Sequence, residues 1–236
     1  MNNASASCDT ERTENMKNKR TGRKILLALA VVALIFVAVA FCGSGACGGQ
    51  KAPRYQDDWR LALVNGSYAV PEGHAPTLLT LSNGERVDER VYPELQRMFD
   101  DARAAGLSPF VRAGYRTGTE QERIMESKVD ELLRQGWPEK AAREEAARTA
   151  AKPGYSEHQL GLAVDINSHT SEDEWRLYEW LAENAWRYGF ILRYPQGAED
   201  VTGIGYEPWH YRYVGYDAAR EIYESGTTLE EYLGVA

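Results

Sequence analysis

Residues 25–41 read ILLALAVVALIFVAVAF, seventeen apolar residues with no polar interruption, and this run divides the chain before any other feature is considered. As an α-helix rising about 1.5 Å per residue it is roughly 26 Å long, close to the ~30 Å of a bilayer's hydrocarbon core once Cys42 contributes. It lacks the polar face of a helix packed on a soluble core. Arg12, Lys17, Lys19, Arg20, Arg23 and Lys24 precede it, against Asp9, Glu11 and Glu14, so residues 1–24 carry +3. The positive-inside rule keeps that end cytoplasmic and sends the remainder across the membrane. The total of −8 therefore conceals −11 over the remaining residues.

The expected organisation is a basic cytoplasmic tail (1–24), a single-pass transmembrane signal anchor (25–42), a flexible linker GSGACGGQKAPRYQ (43–56) and an extracytoplasmic domain (57–236) at the cell membrane. Secretion after signal cleavage is the alternative, with Ala38-Val39-Ala40 or Ser44-Gly45-Ala46 as small-x-small sites; the length of the run favours the anchor. A lipid-modified Cys47 is a third reading, disfavoured by Ser44 where such a signal carries a Leu-like residue.

Net acidity argues against nucleic acid as partner, since a phosphate backbone selects clustered Lys and Arg. The three cysteines, Cys8, Cys42 and Cys47, lie in or beside the leader. Residues 48–236 thus have neither a disulfide framework nor thiolate ligands, and a packed core must stabilise them.

Along that domain, Leu61–Val64 before Asn65-Gly66 and Leu78–Leu81 before Asn83-Gly84 read as strands entering turns. Val91, Leu95, Met98, Phe99 and Ala102 recur at helical spacing over 91–105. Pro109–Ala113 reads as a strand, and Gly114–Gly118 as a loop. Thr119 with Glu122, and Ser171 with Glu174, read as capping boxes opening helices. A helix after Pro138, strands over 160–167, 190–193 and 209–214, and short helices near 217–225 and after Thr228 complete the pattern. Short, unevenly spaced strands among helices predict an α+β fold, with a small central antiparallel sheet and helices packed around it.

Only four histidines exist, at 74, 158, 169 and 210. In SEHQLGLAVD, His158 and Asp165 flank an apolar stretch, and in EPWH, Glu207 stands three residues before His210. Two imidazoles, an aspartate and a further glutamate are the parts of a hydrolytic zinc centre: three protein ligands, an open position for water, and a carboxylate free to take the proton. A Ser-His-Asp hydrolase built on Ser156, His158 and Asp165 is disfavoured, because no GxSxG elbow is present and Glu207 and His210 would have no role. His74 and His169 lack a carboxylate-spaced partner and read as surface residues.

The SxHxxGxAxD pattern, met by Ser156, His158, Gly161, Ala163 and Asp165, and the ExWH pattern, met by Glu207, Trp209 and His210, resemble the VanY-type D-alanyl-D-alanine carboxypeptidases. These belong to a zinc peptidase group that includes lysostaphin-like enzymes and the hedgehog signalling domain. Gly114–Thr117 and Gly189–Pro195 also look like family segments, and the likeness spans roughly 75–225. The resemblance implies Zn2+ bound by His158, Asp165 and His210, with Glu207 as general base for zinc-activated water. It implies a peptidoglycan stem or precursor peptide ending in D-Ala as substrate. Arg116 matches an arginine facing the scissile carbonyl oxygen or the substrate carboxylate, Ser156 matches a serine near that carboxylate, and Trp209 walls the pocket. The enzyme is expected to act as a monomer. L,D-carboxypeptidase action on tetrapeptide stems, and a catalytically silent wall-binding module of the same fold, are the alternatives.

Overall fold

The computed structural model describes residues 58–236; the tail, anchor and linker expected over 1–56 lie outside the described residues. No helix among the described residues is long and apolar enough to cross a membrane.

Asn83-Gly84 turns a hairpin of β1 (Leu78–Thr80) and β2 (Arg86–Asp88), with Leu79 opposite Val87. Strands β3 (Pro109–Ala113), β4 (Ala163–Ser168), β5 (Phe190–Leu192) and β6 (His210–Tyr213) form the main sheet in the order β3-β4-β6-β5. Every neighbouring pair is antiparallel, as the α+β expectation requires. The helices are α1 (Tyr92–Ala104), α2 (Gly118–Arg134), α3 (Glu139–Ala146), α4 (Glu174–Asn184), α5 (Glu199–Thr202), α6 (Tyr216–Ser225) and α7 (Leu229–Tyr232).

The predicted apolar stripe of α1 is the face that goes inward: Leu95, Met98 and Ala102 pack on Val111, Val164 and Ile166 of the sheet, together with Leu177 and Leu181 of α4. Each such full burial of a large side chain contributes about 1.5–3 kcal/mol. A second cluster joins Leu61, Leu63 and Ile191 to α6 and α7, and α2 pairs with α3 through Met125, Val129, Ala142 and Ala146.

Four local expectations are corrected. Leu61–Val64 is no strand: Asp58 accepts from the Arg60 amide at 3.0 Å and caps a 3-10 turn over Trp59–Leu61, so Leu61 is buried from that turn and Leu63 from the irregular chain after it. The box opening α2 is Thr117 with Glu120, two residues earlier than Thr119 with Glu122. At α4 no Ser171–Glu174 box forms, because Glu174 instead accepts from Asn167 Nδ2 at 2.6 Å and from the Tyr178 hydroxyl. Trp175, expected on the inner face of α4, is 64% exposed.

Candidate metal centre

Register explains why residues distant in sequence meet. Asp165 in β4 lies directly opposite His210 in β6, and Ala113 in β3 opposite Asp165 on its other side. The chain leaving β3 therefore carries Gly114 and Arg116 past the same point. His158 belongs to a 3-10 turn, Glu157–Leu160, that ends on Gly161 in the left-handed region (φ 76°). A Cβ on Gly161 would sit 3.1 Å from the Asp88 amide nitrogen, so this glycine serves a tight turn and close packing.

His158, Asp165 and His210 are all buried, and one ligand atom from each lies within 4.8 Å of the others. Asp165 Oδ1 is 3.3 Å from His158 Nε2 and 3.0 Å from His210 Nδ1. The two rings stand nearly perpendicular, with centroids 4.9 Å apart. The Gly114 carbonyl oxygen lies 2.7 Å from His158 Nδ1. A carbonyl only accepts, so Nδ1 carries the proton and Nε2 turns its lone pair toward Asp165. Two imidazole nitrogens and a carboxylate oxygen, converging from buried and braced side chains, suit a borderline-soft divalent ion such as zinc.

Glu207 Oε2 approaches His210 Nδ1 at 3.7 Å, so the carboxylate stands beside the ligand cluster without joining its closest contacts. Burial pushes its pKa up to about 7, against the pull of His210. Asp165 behaves oppositely: burial would raise it, but the His158 and His210 imidazoles hold it well below the usual carboxylate range. Burial lowers His158, while His210, despite its burial, rises to about 9 through its hydrogen bond with Asp165 and the nearby carboxylates of Glu157 and Glu207. Arg116 places Nη2 2.8 Å from Asp165 Oδ2, on the far oxygen from the histidines.

These groups line a cavity of about 330 Å³ that also takes in Ser156, Trp209, Gln121, Lys128 and Arg148. Every residue expected at the site is thus brought to one place. Ser156 is buried at its wall, and Trp209 is shared with a neighbouring cavity of about 540 Å³ lined by Arg112, Trp175, Tyr178 and Tyr206. His169 is exposed and stacked on Phe110, as expected of a surface residue. His74 is half-buried with Nε2 3.0 Å from the Leu160 carbonyl, which corrects its surface assignment.

The profile of the family described as VanY, D-alanyl-D-alanine carboxypeptidase, matches residues 84–216, more than half of the chain and the whole of this site. The chain belongs to the VanY family. A D-alanyl-D-alanine carboxypeptidase of Enterococcus faecalis is 50% identical over 181 residues, covering 75% of this chain and 67% of the relative. Among solved structures, the vancomycin resistance D,D-pentapeptidase VanY of a VanB-type cassette, in complex with Zn(II), is 49% identical with a TM-score of 0.73, covering 75% of this chain and 99% of that one. The LdcB LD-carboxypeptidase is 34% identical with a TM-score of 0.65, covering 80% and 91%. The chain is accordingly an enzyme of the VanY metallocarboxypeptidase type.

The roles read from the motifs did not extend to several residues packed around this site. Gln121 is buried at the cavity wall, with Nε2 donating to the Ala151 carbonyl at 2.7 Å. Tyr194 stacks at a tilt on His210, centroids 4.8 Å apart. Behind His210, Glu157 is fully buried against Arg193 and Arg212, each at 2.8 Å. The available signal was an arginine beside or within a strand, Arg193 directly after Phe190–Leu192 and Arg212 within His210–Tyr213.

Proposed function

We propose that the protein is a zinc-dependent D,D-carboxypeptidase that removes the terminal D-Ala from peptidoglycan stem or precursor peptides. The observation carrying this reading is the convergence of His158, Asp165 and His210 beside Glu207 in one accessible cavity of a VanY-family chain. His158 through Nε2, Asp165 and His210 through Nδ1 would hold the zinc. When bound there, zinc supplies Lewis acidity and brings the deprotonation of water toward neutral pH.

Glu207 takes the proton from the attacking water on its carboxylate and passes it to the leaving D-Ala amine. Its burial favours this role, since a carboxylate with a pKa near 7 is a stronger base than an exposed one and still ionises at neutral pH. The Arg116 guanidinium, 21% exposed, presents donors to the cavity and stabilises the developing carbonyl oxyanion or holds the peptide's terminal carboxylate. Lys128 and Arg148 add positive charge to that wall, and Ser156 offers a hydroxyl to the same carboxylate. Trp209 bounds the peptide's path.

D,D- rather than L,D-specificity is favoured by the closer likeness to D,D-enzymes, 49–50% identical, than to the LD-carboxypeptidase at 34%. The enzyme is taken to act as a monomer. The apolar run 25–41 supports an anchor holding residues 57–236 outside the membrane, facing the wall.

The test uses the full chain with its zinc content measured, offered pentapeptide and tetrapeptide stems. Release of D-Ala from the pentapeptide supports the proposal. Release confined to the tetrapeptide replaces it with the L,D-reading. A zinc-loaded chain inert on both would leave the wall-binding module.

A further inference from the structure

Among the described residues, the buried side-chain polar atoms without a hydrogen-bond partner include Glu157 Oε2 and His210 Nε2. These two face each other at 3.7 Å. Buried polar atoms in native proteins are rarely left unpaired, so two such atoms pointing at one another mark an interaction. Contact needs a closure of only about 0.5 Å to reach an ordinary N–H···O distance.

The carboxylate has little freedom to turn elsewhere. Glu157 Oε1 accepts from Arg193 Nε and from Arg212 Nη1, each at 2.8 Å. Arg193 is fixed in turn by Glu230 at 2.6 and 2.9 Å, and Arg212 by the Arg60 and Ala62 carbonyls. Oε2 is the one carboxylate oxygen left over, and it is aimed at the imidazole. On the opposite edge of the same ring, Nδ1 faces Asp165 and Glu207 at 3.0 and 3.7 Å.

We propose that Glu157 is the positioning residue for His210: its Oε2 accepts the His210 Nε2 proton, which fixes the tautomer and turns the bare Nδ1 toward the metal. His158 receives the same service from the Gly114 carbonyl on its Nδ1. The two histidines thus present opposite nitrogens, one braced by a neutral backbone oxygen and the other by an ionised carboxylate. A carboxylate behind a ligating histidine raises the ligand's basicity as well as orienting it. The inference rests on the zinc reading above and adds to it a role for a residue at an unspecified position of the first motif.

The full chain, 15N-labelled at histidine and loaded with zinc, reports the tautomer directly through long-range 1H–15N correlations. The expected result is a proton on His210 Nε2 and metal on Nδ1. A proton on Nδ1 overturns the assignment, and this readout needs no variant. Glu157→Gln is then expected to weaken zinc binding about 10- to 100-fold, and Glu230→Gln, which reaches His210 only through Arg193 and Glu157, to weaken it less. Equal zinc affinity in Glu157→Gln and wild type, or a larger loss in Glu230→Gln than in Glu157→Gln, overturns the role. Should Glu157→Gln not fold, the wild-type nitrogen assignment decides. Failure of the wild type to bind zinc would instead sink the zinc reading itself, so the two failures are distinguishable.

Discussion

Charged groups stand on both sides of His210, alike in kind and opposite in setting. In front, Arg116, Asp165 and Glu207 border an open cavity, with side chains 13–21% exposed. Behind, Glu157, Arg193, Arg212 and Glu230 form a cluster whose side chains are 0–3% exposed. The front carboxylate, Glu207, has no guanidinium among its hydrogen-bond partners, and burial raises its pKa. For the rear one, Glu157, burial acts in the same direction but Arg193 and Arg212 overcome it and hold the pKa well below the usual range. In the proposed mechanism the carboxylate that exchanges protons is the one left weakly compensated beside solvent, and the one that stays ionised is surrounded by cations and sealed. The same residue type is thus suited to act as a base or as a brace according to its partners.

The comparison is broken most severely at the front. Glu207→Gln is expected to lower kcat for D-Ala release by about 10²- to 10⁴-fold while zinc remains bound, which steady-state kinetics and metal analysis would check. If the variant lost zinc along with activity, Glu207 would be a ligand rather than a base.

The rear cluster is expected to respond in stability. Arg193→Met leaves Glu157 and Glu230 short of a partner in a water-free site and should cost about 3–5 kcal/mol, read from urea unfolding. A loss below about 1 kcal/mol, the size seen for exposed pairs, would show that water reaches the cluster.

Acidity sharpens the contrast, because the two glutamates act on stability with opposite sign. Glu207 has a folded-state pKa raised from 4.5 to about 7, so in the metal-free chain its ionisation removes stability as pH rises from 4.5 toward 7. Metal-free Glu207→Gln should therefore unfold later than wild type at pH 8 and show little difference at pH 4. Glu157, with its pKa depressed, contributes stability that is present above 4.5 and lost as pH falls below it. That acid limb should shrink in Arg193→Met. Parallel stability curves for wild type and Glu207→Gln between pH 4 and 8 would contradict the assignment at the front.

The same division marks what could be read from the sequence. Strand β3 matched its apolar run and Gly114 stop to the residue, and α1 matched its stripe, because both are set by local pattern. His158, Asp165 and His210 were legible because two motifs agreed, although their meeting depends on the β4–β6 register that brings Asp165 opposite His210. The rear cluster was not legible: its partners lie 36, 37 and 55 residues apart, and no local periodicity couples Glu157 with Arg193 or Arg212. Competition between equivalent local signals explains the smaller differences. Thr117 and Thr119 both stand three residues before a glutamate, and the structure uses Thr117, whose Glu120 also meets Arg86 at 3.2 Å.

The central claim, that the groups in front of His210 hold a metal on which D-Ala release depends, is tested most directly by metal removal. The full chain is stripped with a chelator, assayed for D-Ala release from a pentapeptide ending in D-Ala-D-Ala, and assayed again after titration with zinc. Release is expected to stop in the stripped chain and to return in full at one zinc per chain. Release that survives with zinc demonstrably absent would contradict the claim.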